Sequence, residues 1–129
     1  MIFRYTILYV ANVPASLAFF DAAFGIATAF LHEGADYGEL QTGATKLAFS
    51  SHALMAQIGK AVATEPPEKP SFELALETAD VKAALDRAIW AGAVLVQDVQ
   101  DMPWGQTIAY VRTPDGTLVE LCTPVSAPD

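Results

Sequence analysis

The chain has 129 residues, 53% of them hydrophobic and 17% charged, with a net charge of −8. This length suits one domain with a real core, and the composition excludes a disordered chain. No apolar run approaches the roughly 20 residues that span a bilayer, and an acidic surface repels phosphate backbones, so neither membrane nor nucleic acid is an expected partner. The opening residues Met1-Ile2-Phe3-Arg4-Tyr5 alternate and do not read as a signal peptide. The lone Cys122 cannot form an internal disulfide, which fits a cytoplasmic protein.

In chain order, aromatic and β-branched residues over Ile2–Val10 predict a strand. A helix follows over Val13–Phe24, with Leu17, Phe20 and Phe24 on one stripe, Asn12 as N-cap and Gly25 as its stop. Three extended runs come next: Ala27–His32, Tyr37–Gln41 and Thr45–Ser51. Residues 52–60 read equally as a short helix or a loop. The run from Ala61 to Pro70 contains Pro66, Pro67 and Pro70 and predicts an extended linker. A strand over Ser71–Thr78 then leads to a helix over Val81–Ala91, with Val81, Leu85 and Ile89 inward and Gly92 as its stop. Trp90 reads as outer packing. The final runs are Ala93–Gln100, Thr107–Arg112 and Thr117–Cys122.

The chain repeats itself. Ala11-Asn12-Val13-Pro14-Ala15-Ser16-Leu17 recurs as Ala79-Asp80-Val81-Lys82-Ala83-Ala84-Leu85, with four of seven positions identical. The prediction is an α+β fold of two tandem βαβββ modules, residues 1–60 and 71–125 around the 61–70 linker. Their mixed sheets form a curved cup with the helices outside. The turn Pro114-Asp115-Gly116 sets the last hairpin. A three-residue turn places Tyr110 opposite Glu120, whereas a two-residue turn would rotate Tyr110 to the other side.

Several segments resemble the glyoxalase/bleomycin-resistance/dioxygenase (vicinal oxygen chelate) superfamily. They are Ser16-Leu17-Ala18-Phe19-Phe20 with Gly25, Ala79-Asp80-Val81 with Gly92, Pro103-Trp104-Gly105, and Thr113-Pro114-Asp115-Gly116-Thr117-Leu118-Val119-Glu120-Leu121. The resemblance implies a metal at four equivalent strand positions in those members that do chemistry. Aligning the halves on Asn12/Asp80 and on Gly43/Gly116 gives Tyr5, Leu47, Glu73 and Glu120 at those positions. Leu47 cannot coordinate and a neutral phenol is a poor ligand, so a divalent metal is disfavoured and no cofactor is expected. His32 and His52 fall in loops or at strand ends and read as surface residues.

Strand alternation fills the expected cup with Tyr5, Ile7, Tyr9, Leu47, Phe49, Glu73, Tyr110 and Glu120, and Trp104 stands on a neighbouring loop. Similarity to members that sequester aromatic antibiotics points to Trp104 as a stacking surface. The expected function is metal-independent binding of a small flat or cationic molecule by a homodimer. The competing expectation is a glyoxalase-like lyase, isomerase or epimerase, with Glu120 as general base beside Glu73.

Overall fold

The computed structural model describes residues 1–125. The chain divides into two compact units, Met1–Glu65 and Pro66–Asp129. The first contains β1 (Tyr5–Val10), α1 (Val13–Phe24), β2 (Thr28–Leu31), β3 (Tyr37–Leu40), β4 (Lys46–Ser51) and α2 (His52–Gln57). The second contains β5 (Leu74–Glu77), α3 (Val81–Ala91), β6 (Val94–Asp101), β7 (Thr107–Arg112) and β8 (Leu118–Cys122). The fold is α+β, built from two βαβββ modules. Each module makes its own four-stranded sheet, in the orders β1-β4-β3-β2 and β5-β8-β7-β6. In each, the first strand runs parallel to the last and the remaining pairs are antiparallel.

The repeat in sequence is a repeat in local structure. Asn12 accepts the amide of Ala15 at 3.0 Å, and Asp80 accepts that of Ala83 at 3.0 Å. Each side chain thereby satisfies one orphan donor of a first helical turn. Gly25 and Gly92 end the two helices in the left-handed region. Residues 52–57 are helical because the Ser51 hydroxyl caps them, accepting from the Leu54 amide at 3.0 Å. No helix or strand runs between Gln57 and Leu74.

Each helix covers one face of its own sheet. α1 buries Val13, Ser16, Leu17, Phe20 and Ala23 against β3, β4 and β2. Its approach to β3 needs Gly38, where a Cβ would lie 2.7 Å from Leu17 Cδ1. Phe20 meets Phe49 of β4 with ring centroids 5.3 Å apart. α3 packs on β7, β6 and β8 through Val81, Leu85 and Ala88. Ala88 takes the inner place predicted for Ile89, which is 40% exposed. The helix turns by about 100° per residue, so the third inward position falls seven residues after Val81 rather than eight. Trp90 is 85% exposed, so it is no packing residue within this chain. Among the described residues no helix is long and apolar enough to cross a membrane.

Candidate functional site

The face of each sheet not covered by its helix can carry chemistry. In module one it takes Tyr5, Ile7 and Tyr9 from β1, since Leu8 and Val10 point into the core. The register continues the rows across the sheet: Ile7 beside Ala48 and Glu39, Tyr9 beside Ser50 and Tyr37. In module two Ala75 lies beside Glu120, and Glu120 beside Tyr110. The hairpin has the three-residue turn: Gly116 sits at φ 87°, its amide donates to the Thr113 carbonyl at 2.8 Å, and Arg112 faces Leu118.

Two expected cup residues belong elsewhere. Leu47 and Phe49 alternate with Lys46, Ala48 and Ser50, and the Phe49 ring is packed on Phe20 under α1. Both are core side chains, 8% and 1% exposed. Equal distances from Gly43 and Gly116 do not mark equivalent positions. Tyr5 pairs with Lys46, three residues past its glycine, while Leu118, which would sit opposite Glu73, is two past Gly116. The turn before β4 therefore holds one more residue, with the Thr42 hydroxyl donating to the Thr45 carbonyl and accepting from the Leu47 amide. A one-residue slip exchanges the two faces of a strand, and the counterpart of Glu120 is Ala48.

The remaining expected residues divide by module. Tyr5, Ile7 and Tyr9 lie on the open face of module one, each more than two-fifths exposed. In module two the Tyr110 hydroxyl donates to Glu120 Oε2. That bond, then burial, then the charge of Glu120 and the approach of Glu73 hold the Tyr110 phenol well above its ordinary range. Tyr110 therefore remains a donor and does not ionise near neutral pH. Cys122, next on the same face, is pushed up first by burial and then by Glu120, so its thiol is not a poised nucleophile.

Trp104 lies at the end of this hairpin, on the turn between β6 and β7, and is 61% exposed. Its indole N–H donates to Gln106 Oε1 at 2.7 Å, and Gln106 Nε2 donates to the Thr123 carbonyl at 2.9 Å. An exposed tryptophan is thus tied through Gln106 to the backbone just past β8. Thr123 is three residues from Glu120, roughly 10 Å along the strand.

Sequence reasoning did not single out Tyr37 and Glu39. The Tyr37 hydroxyl donates to Glu39 Oε2 at 2.7 Å on the open face of module one. Burial first, then Glu39, then nearby Tyr5 raise the Tyr37 phenol. The signal was available in Tyr37-Gly38-Glu39-Leu40: with Gly38 and Leu40 under the helix, alternation puts Tyr37 and Glu39 together on the other side.

The family profile of the glyoxalase-like domain matches residues 3–126. The chain belongs to this family. Among solved structures, this glyoxalase-like chain is similar to a glyoxalase-related enzyme from Fulvimarina pelagi, at 26% identity and a TM-score of 0.80, covering 94% of this chain and 86% of that one. It is also similar to a glyoxalase/bleomycin resistance protein/dioxygenase family enzyme from Burkholderia phytofirmans, at 19% identity and a TM-score of 0.77, covering 98% and 100%. A glyoxalase/bleomycin resistance protein/dioxygenase from Nocardioides matches at 18% identity and a TM-score of 0.77, covering 100% and 87%. The last two likenesses speak for the fold alone. No curated protein sequence matches the chain.

The metal expected of the superfamily's enzymes does not fit the residues at its four positions, which the strand register makes Tyr5, Ala48, Glu73 and Glu120. Ala48 has no donor atom, Tyr5 offers a phenol, and Glu120 already accepts from Tyr110. Among the described residues no group of three or more His, Cys, Asp or Glu side chains is placed to hold a metal ion.

Proposed function

We propose that this glyoxalase-like chain is a binding protein that takes a small, flat or cationic molecule without a metal, using the open face of module two. The observation that carries the reading is the Tyr110–Glu120 hydrogen bond with Glu73 beside it. A phenol that stays protonated fixes one oxygen of Glu120, and the carboxylate keeps lone pairs with which to accept a second donor. A fixed carboxylate with spare acceptor capacity suits an organic cation, and the tethered Trp104 indole supplies a flat surface on which such a cation can stack. The acidic chain as a whole favours the same sign of ligand.

A permanently charged aromatic probe tests this. N-methylquinolinium should quench Trp104 fluorescence in a Trp90→Phe background. Its affinity should be unchanged by EDTA and about tenfold weaker in Glu120→Gln, the scale of one lost charge-assisted contact. Equal binding by neutral quinoline and by the Glu120→Gln variant would overturn the reading. Metal-dependent turnover of a thiohemiacetal, abolished by Glu120→Gln, would instead make Glu120 a general base beside Glu73.

A further inference from the structure

The open face of module one holds a second grouping that the first reading does not use. Glu39 lies in the middle of the sheet on β3, and Phe30 of the edge strand β2 is its cross-strand partner. Directly opposed side chains in an antiparallel pair have Cβ atoms only about 4.5–5.5 Å apart. The Phe30 ring stands 6.4 Å from the Tyr37 ring at an interplanar angle of 53°, and both rings are on the side of the sheet away from α1. The Tyr37 hydroxyl donates to Glu39, fixing the carboxylate at the tip of the Tyr37 ring.

Among the described residues the carboxylate has no ion-pair partner. Among the described residues its hydrogen bond comes from Tyr37, and the ion pairs His32–Asp36 and Lys82–Asp86 lie elsewhere. Lys46 shares the face but forms no bridge to it. On the other side of Glu39 the register places Ala48, whose side chain has no polar atom to offer. A half-buried, oriented carboxylate beside aromatic rings, with no ion pair among the described residues, is an arrangement that attracts a soft, weakly hydrated cation. The rings contribute through their negative faces, and such an ion loses little hydration on entering.

We infer that Glu39, Tyr37 and Phe30 form a site for an alkylammonium group, quaternary amines above all, on the open face of module one. The inference shares with the proposed function the view that the open faces bind small cations, but it uses different side chains in a different unit. The raised phenol of Tyr37 agrees with it, since a hydroxyl that stays protonated keeps its bond to the carboxylate across the physiological range.

Choline and its neutral isostere 3,3-dimethylbutanol provide the test, titrated into the intact chain and followed by amide chemical shifts. Choline should move the amides of residues 28–31 and 37–40, and the isostere should not. Glu39→Gln should weaken choline about tenfold, and Phe30→Ala several-fold, within the range of cation–aromatic contacts. Tyr37→Phe keeps the ring and removes the bond to Glu39, so a smaller loss is expected there. N-methylquinolinium binding, read at Trp104, should survive Glu39→Gln, which separates failure here from failure of the module-two reading. Absence of choline shifts, equal shifts from the neutral isostere, or full affinity in a folded Glu39→Gln variant would each overturn the inference.

Discussion

The two modules agree in how their long helices α1 and α3 start, stop and pack, and they differ on their open faces. Both helices are capped at equivalent positions, Asn12 and Asp80, by hydrogen bonds of equal length. Both open faces pair a tyrosine hydroxyl with a glutamate, but by different routes. Tyr37 and Glu39 are two residues apart on one strand, whereas Tyr110 and Glu120 face each other across β7 and β8. At the position where module two has Glu120, module one has Ala48. A duplicated scaffold can keep its caps and core while the uncovered faces diverge, because the caps and core serve stability and the faces do not. The alanine at position 48 and the bonding of Glu120 to Tyr110 are part of that difference.

The comparison can be broken most severely at the core of module one. Phe49→Ala should cost about 3–5 kcal/mol in urea unfolding, because the ring fills space against Phe20. A cost near that of an exposed aromatic would return Phe49 to the open face. The turn glycines sharpen the contrast at lower cost. Gly43 and Gly116 both have positive φ, yet a Cβ meets nothing within 4 Å at Gly43 and lies 2.2 Å from Pro66 Cβ at Gly116. Gly43→Ala should therefore cost only the conformational term, about 1–2 kcal/mol, and Gly116→Ala distinctly more. Equal losses would mean that Pro66 gives way freely.

The caps test where the modules agree. Asn12→Ala and Asp80→Ala should each cost about 1 kcal/mol, and a difference of several-fold would show that the two helices are not equivalently held. The smallest effect is in alkali. The Tyr110 phenol is raised in the folded chain, so its contribution to stability is present below its ordinary value near 10 and is lost as pH climbs towards the folded value. In Glu120→Gln the tyrosinate band should accordingly appear at lower pH than in the native chain. An unchanged alkaline titration would deny the bond its role.

Much of this architecture was legible in residue patterns, and the failure is instructive. Both long helices have their predicted limits, and the Tyr110–Glu120 register follows from the three-residue turn at Gly116. Caps, stops and tight turns are local, and a short window of sequence contains their causes. Leu47 and Phe49 went wrong because strand facing in β4 depends on the length of the preceding turn. There the hydroxyl of Thr42 accommodates one additional residue. Periodicity of two carries no memory of which face comes first, so only the packing of Phe49 on Phe20 fixes it. Alternation puts Tyr37 and Glu39 on one face, but the neighbours of Glu39 on β2 and β4 depend on a strand register that sequence alone does not supply.

The central claim is that the open face of module two binds a cation through Glu120 and without a metal. Calorimetric titration of N-methylquinolinium into EDTA-treated protein, native and Glu120→Gln, tests it most directly. The account predicts saturable binding to the metal-free native chain and an affinity about tenfold lower in the variant. Binding that returns only when a divalent metal is restored, or that is indifferent to Glu120→Gln, would contradict it.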